Sequence, residues 1–448
     1  MRSGTGLLWC LLTKCCEDDR DPSDFTLSKI SSSRPFLSIP RALLSPELIH
    51  FIRLETYDWR AQESLINASL PQYRTSIPYL PFHPPHRIHF VHKRSSKPGA
   101  IPLLFCHSWL GSVLEVSKIL EPLTNPLQGE NAPSFHLVAP SIPGFGFSDA
   151  SHAEGMDFNA TASIFNALME RLGYRHYVAH GGGRSVSILH IADSVSRVMK
   201  EADPESSSGS HITRILATRY PASCIATHVT SMSIQPPSLF HRPLIWFQYQ
   251  FARLTHHAFP TTRPLGYHPI DFSLPPQRLL NKASNDQTAE FDLPKHPQTL
   301  AYALCDSPVG LLAYIRQRLH TSSPTYPWTP TELLNWTMLH WLPGPEAGLR
   351  LYCDSARDMV SVRQQWSPTP LGITVFAGSW REGPPAWAGC VQPLPWVRRH
   401  EGCGVYAAWE RPVELVDDMR DFFGKVVGSR GTGKVMEIDL EGGLLDID

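Results

Sequence analysis

Charge of either sign is scarce in this chain of 448 residues. Only 18% are charged, and 40 Lys and Arg against 41 Asp and Glu leave a formal net charge of −1. So balanced a composition excludes binding to nucleic acid or to an anionic membrane through bulk charge. Long hydrophobic runs are missing too. The apolar stretch at 7–12 falls far short of the ~20 residues that cross a bilayer and makes a poor signal-peptide core. The nine cysteines show no paired spacing, which removes a zinc site or a disulfide framework. Cys106, Cys224 and Cys305 sit in apolar runs and read as buried thiols of a reducing compartment. Cys15 and Cys16 leave two readings open, lipid attachment or a loose tail. These absences point to a soluble, cytoplasmic protein with no nucleic-acid partner and no membrane association.

What is present is a large globular core. Hydrophobic residues make up 42% of the chain, and many of its 41 prolines fall in loops such as 78–85 and 384–395. Short apolar segments at 88–92, 102–106, 135–139, 175–179, 224–232 and 373–376 read as strands. Helix-like stretches at 112–120, 159–172 and 412–427 alternate with them, and a further helical segment is read at 45–67. Alternation of this kind implies α/β architecture with a doubly wound, mostly parallel sheet. The aromatic- and proline-rich region 236–365, helical over 300–318 and 332–342, breaks the rhythm and reads as a cap inserted over the sheet. The expected organisation is a disordered tail at 1–35, an N-terminal segment at 36–95, core at 96–235, cap at 236–365, core at 366–427 and a flexible tail at 428–448. The Ser/Gly stretch 206–210 reads as a loop.

The segment Tyr177-Val-Ala-His-Gly-Gly-Gly-Arg-Ser185 runs from an apolar strand into small residues and then into helix-like sequence. That is the strand–turn–helix context of a nucleophile elbow, where any larger Cβ would clash in the turn. A phosphate-loop-like run, Gly428-Ser-Arg-Gly-Thr-Gly-Lys434, is a decoy. Val435 replaces the hydroxyl that would ligate magnesium, and a helix precedes it where a strand is needed.

Several blocks together resemble the epoxide hydrolases of the microsomal type, fungal members in particular. They are Tyr57-Asp-Trp-Arg-Ala-Gln-Glu63, Ile88-His-Phe-Val-His92, Cys106-His-Ser-Trp-Leu-Gly-Ser112, Ala139-Pro-Ser-Ile-Pro-Gly-Phe-Gly-Phe-Ser148, the Asp306-Ser-Pro-Val-Gly-Leu311 block and Tyr406-Ala-Ala-Trp-Glu-Arg-Pro412. The resemblance implies an α/β-hydrolase fold with a helical cap insertion and an N-terminal extension. It also implies a mechanism. An Asp attacks the epoxide carbon to give an ester, a His oriented by an acid activates water, and cap tyrosines donate to the ring oxygen. Backbone N–H groups hold the oxyanion. No metal or cofactor is needed.

Residue by residue, the carry-over is incomplete. The oxyanion loop is His107-Ser-Trp-Leu110, with Trp109 and Arg184 as the backbone donors; Ser108 and Leu110 replace the family's Gly and Pro, which is expected to loosen the turn. Gly183 overlays the nucleophilic Asp of the family's Gly-Gly-Asp-Trp-Gly. A second register, in which 183–192 is a ten-residue insertion, displaces the nucleophile to Asp193. A third makes Ser185 a serine-hydrolase nucleophile. Val405 stands in the His position, with His400 five residues upstream. Ser379 stands in the acid position, with Glu382 three residues on. Tyr314, Tyr326 and Tyr352 are the cap hydrogen-bond donors to consider.

Two functions follow from the resemblance. One is an enzyme that opens an epoxide or related intermediate, for which the resemblance implies fungal secondary metabolism, through Asp193, Glu382 and His400. The other is a catalytically impaired relative that binds a small apolar ligand or a partner in the old pocket. A serine esterase using Ser185 is a lesser third. The cap and N-terminal segment offer surfaces for a homo-oligomer.

Overall fold

The computed structural model describes residues 57–78, 85–126, 132–151, 155–183, 208–230, 232, 237, 239–240, 242–258, 267–272, 297–355, 362, 364–378, 384–402 and 404–429. In chain order these form α1 (Trp59–Ser69), β1 (Gln72–Ile77), β2 (His86–Lys93), β3 (Ile101–Cys106), β4 (Phe135–Pro140), α2 (Phe158–Arg171), β5 (Tyr177–Gly181), α3 (Ser208–Arg219) and β6 (Cys224–Val229). The cap region supplies α4 (Pro243–Ala258), α5 (Pro297–Asp306), α6 (Pro308–Ser322), α7 (Pro330–Trp341) and α8 (Glu346–Ser355). The chain then returns to the sheet as β7 (Leu371–Phe376), β8 (Trp396–His400) and α9 (Pro412–Ser429).

The sheet has eight strands in the order β1-β2-β4-β3-β5-β6-β7-β8. β1 pairs with β2, and β2 with β4, antiparallel; every later pair is parallel. All residues of β3, β4, β5 and β7 are buried, as expected of parallel strands covered on both faces. This is the α/β-hydrolase architecture, with β5 near the centre of the sheet. Local chemistry sets the helix starts. Asp157 caps α2 by accepting from Ala160 N–H, and Thr329 with Glu332 forms a reciprocal capping box on α7.

Several expectations need correction. The strand read at 175–179 is Tyr177–Gly181, and the one at 224–232 ends at Val229. The helix read at 300–318 is two helices. Ser307 caps α6 by accepting from Gly310 N–H, and Pro308, lacking an N–H, opens it. Strand β1 went unrecognised because Gln72–Ile77 is polar and needs only an edge partner. Ser208, Gly209 and Ser210, read as loop, are the first residues of α3 and are buried. Of the helix read at 45–67, the described part starts at Trp59. Cys106 and Cys224 are buried as expected, but Cys305 is half-buried. Among the described residues no helix is long and apolar enough to cross a membrane.

Candidate active site

β5 ends at Gly181, and Gly182 and Gly183 follow; Gly183 has φ +121°, a conformation that favours glycine. The helix that covers this turn is α3, which packs on β3, β5, β6 and α2. Its approach is closer than any side chain allows. A Cβ on Gly209 would lie 2.4 Å from Cys106 O and 3.0 Å from Gly182 N and O, and a Cβ on Gly181 would lie 2.2 Å from Gly209 O. The Ser208 hydroxyl donates to His107 O at 3.4 Å.

The chain therefore leaves the elbow at Gly183 and comes back to the same point at Ser208–Gly209. Read across that gap, Gly181-Gly182-Gly183 followed by Ser208-Gly209 shares the glycines of the Gly-Gly-Asp-Trp-Gly pattern, with Gly183 at Asp and Ser208 at Trp. We infer a register in which 184–207 is extra to the pattern; the insertion expected at 183–192 lies, but for Gly183, outside the described residues. Arg184, Ser185 and Asp193 fall within it and lie outside the described residues. Deleting 184–207 should leave a folded protein, because Gly182 and Gly209 already stand at the separation of a four-residue turn. Loop-closure entropy saved on this deletion is on the order of 2 kcal/mol. A melting temperature equal to or above that of the parent is the expected result, read by calorimetry; an unfolded product would contradict this register.

The oxyanion loop is held tightly, so the loosening expected from Ser108 and Leu110 does not occur. Ser108 N–H donates to Glu115 Oε1 (3.2 Å), the Tyr406 hydroxyl to Trp109 O (3.1 Å) and His340 Nε2–H to Leu110 O (3.1 Å). Ile142 N–H donates to His107 Nε2 at 3.0 Å, which puts the ring proton of His107 on Nδ1. Leu110 adopts φ +63°, a strained state for a branched residue that these neighbours enforce. Burial depresses His107 and His340 from 6.5 to about 4, and raises Glu115 to about 8. At neutral pH both rings are uncharged and the Glu115 carboxyl keeps its proton.

The Trp109 ring is buried edge-on against Phe145 (5.5 Å) and Tyr352 (5.0 Å). Among the described residues its Nε1–H has no hydrogen-bond partner, nor has the buried Thr230 Oγ1, which lies 3.4 Å from where a Cβ on Gly182 would be. Tyr352 itself is fully buried between Trp109 and Phe158. Tyr326 is committed elsewhere: its hydroxyl donates to Glu332 and accepts from Lys118 Nζ, both at 2.8 Å, tying α7 to the core. Tyr314 packs against the main core with the Arg318 guanidinium over its ring.

Val405 is buried, and its carbonyl oxygen lies 3.9 Å from the Cβ position of Gly182. A valine backbone thus lies beside the elbow. His400 ends β8, three strands from β5. Its Nε2 meets Asp418 Oδ2 at 2.7 Å, and its ring stacks on Phe376. Asp418, fully buried on α9, also accepts from Thr374 Oγ1 (2.6 Å) and Arg398 Nη1 (2.8 Å). Behind Thr374 stand His228 (3.0 Å) and then His180 (2.9 Å). Because the Thr374 hydroxyl gives its proton to Asp418, it accepts from His228 Nε2–H, and His228 Nδ1 then accepts from His180. Sequence reading missed Asp418; its only signal was an acidic residue on the apolar side of an amphipathic helix. Ser379 and Glu382 lie outside the described residues. The structure therefore joins Trp109 and Tyr352, and does not bring His400 to either.

Comparisons with known proteins fit this geometry. The family profiles described as "Epoxide hydrolase N terminus" and "alpha/beta hydrolase fold" match residues 47–116 and 101–182. A Stigmatella aurantiaca protein named "Putative epoxide hydrolase" is 30% identical over 381 residues, covering 82% of this chain and 72% of that one. The chain belongs to the epoxide hydrolase family. Juvenile hormone epoxide hydrolase 1 of Ctenocephalides felis is 28% identical over 61% of this chain, which spans only half the length of that relative. The fold of this epoxide hydrolase relative matches the crystal structure of juvenile hormone epoxide hydrolase from Bombyx mori with TM-score 0.69 at 22% identity, covering 96% of this chain and 94% of the other.

Proposed function

We propose that this chain is a non-hydrolytic member of the epoxide hydrolase family that binds a small, largely apolar, epoxide-like ligand beside the elbow. The observation that carries the reading is the Val405 carbonyl beside Gly182. With valine at the base position, an ester formed on any nucleophile has no imidazole to clear it, so turnover stops. Gly183 supports the same reading, since it offers no side chain to attack. Binding is favoured by the aromatic wall of Trp109, Phe145 and Tyr352 and by two buried donors without partners among the described residues, Trp109 Nε1–H and Thr230 Oγ1–H. An ether or epoxide oxygen accepting from either would satisfy a group whose isolation costs about 1–3 kcal/mol.

A second reading keeps the enzyme, with Asp193 reaching the elbow from the extra segment as displaced nucleophile and Glu382 and His400 completing a triad. The pairing of His400 with Asp418 counts against it. Calorimetric titration with styrene oxide or trans-stilbene oxide tests the binding reading. Saturable heat, weakened at least tenfold by Trp109→Phe with the fold unchanged, is expected. No saturable binding to either probe would sink it.

A further inference from the structure

Helix α4 carries two opposed apolar stripes. Ile245, Tyr249, Ala252 and His256 turn inward: Ile245 and Tyr249 pack on the second core cluster, Tyr249 meets Trp387 at 5.0 Å, and His256 stacks on Phe272 at 4.8 Å. Leu244, Phe247, Phe251 and Leu254 point the other way and are 69%, 59%, 59% and 70% exposed. Their spacing of three, four and three residues is the a/d seam by which one helix packs on another. A helix apolar on both sides is built to be covered on both, and here only one side is.

We propose that this outer stripe is the dyad of a homodimer, formed by α4 pairing antiparallel with α4 of a second copy. The stripe reads Leu-Phe-Phe-Leu in either direction about Tyr249. An antiparallel partner centred there sets Leu244 on Leu254 and Phe247 on Phe251, each pair occurring twice, as an isologous contact requires. Charge selects the same arrangement. The helix holds no acidic residue, and Arg253 is exposed. A parallel in-register pair would set the two Arg253 side chains at one level, whereas the antiparallel pair parts them by about 12 Å along the axis, beyond a physiological Debye length of ~8 Å. The four side chains expose on the order of 500 Å² per copy, so the pair alone removes about 1,000 Å², the size at which a specific interface begins. Exposed Leu239 and Phe240 extend the patch at the helix start.

The test is sedimentation velocity of the full chain at micromolar concentration, with chemical cross-linking of cysteine variants. The wild type should sediment at twice the 50.2 kDa chain mass. Phe247→Lys with Phe251→Lys should give a monomer, its dimer dissociation constant raised at least 100-fold and its melting temperature unchanged. Leu244→Cys mixed with Leu254→Cys should cross-link where neither does alone, an outcome that stands even if the lysine variant fails to fold. A monomeric wild type, a dimer indifferent to the lysines, or cross-linking by each cysteine variant alone would overturn the proposal. So would a monomer that co-sediments with phosphatidylcholine vesicles, since the stripe would then face lipid.

Discussion

Acidification below pH 6 is expected to unfold this protein in one steep transition centred near pH 5. Seven histidines carry the effect. Burial lowers His89, His92, His107, His136 and His340 to about 4 and His180 to about 3, and holds His228 well below its ordinary value, with His180 adding to it. In the unfolded chain each titrates near 6.5, so between 6.5 and 4 the unfolded state binds protons that the folded state refuses. Stability is therefore complete above about 6.5 and is lost as the pH falls toward the folded values. Each group contributes up to ~1.4 kcal/mol per pH unit in that window, so seven contribute up to roughly 10 kcal/mol per unit. Against a total stability of about 5–15 kcal/mol, one to two units suffice. Glu115 works in the opposite sense, because its raised value means the unfolded state gives up a proton first between about 4.5 and 8. Asp271 and Glu410, also raised by burial, work in the same sense as Glu115, but three carboxyls do not offset seven imidazoles. The check is circular dichroism against pH combined with potentiometric proton uptake, expected at four or more protons. A chain still folded at pH 3.5, or an uptake below two, would contradict the burial of these rings as uncharged groups.

Gly209→Ala should cost about 3 kcal/mol or more, as severe overpacking does, and lower the melting temperature by roughly 3 °C or more. The new methyl would sit 2.4 Å from Cys106 O and 3.0 Å from Gly182 N and O. All three are backbone atoms at strand ends, so none can swing aside. Relief would require α3 to move off β3 and β5. Gly389→Ala is the matched control, since nothing lies within 4 Å of its Cβ position, and it should be neutral or slightly stabilising. Equal melting temperatures for the two variants would mean that α3 does not enter at the elbow, and the reading of 184–207 as extra chain would fall with it.

Much of the fold was legible because parallel strands buried on both faces must be continuously apolar. Phe135–Pro140 and Leu371–Phe376 announce themselves in this way, and Val405 could be placed by the Tyr406-Ala-Ala block beside it. The return of the chain at Ser208 was not legible. Ser208-Gly209-Ser210 carries turn chemistry, and its small residues are required by contact with Gly182 and Cys106, residues distant in sequence. Asp418 was hidden for a similar reason: its buried carboxyl oxygens need Arg398, Thr374 and His400 as hydrogen-bond partners, and only the folded sheet assembles them. The outer stripe of α4 was present in the sequence, yet its meaning depends on knowing which side of the helix the core already covers.

The central claim is that the elbow binds without turning over. Its most direct measurement is incubation with excess trans-stilbene oxide in H₂¹⁸O, following diol by chromatography and ¹⁸O in the intact protein by mass spectrometry. The account predicts no diol above the buffer rate and no label in the chain. Multiple turnovers that Asp193→Asn abolishes, with ¹⁸O retained in a carboxylate, would contradict it.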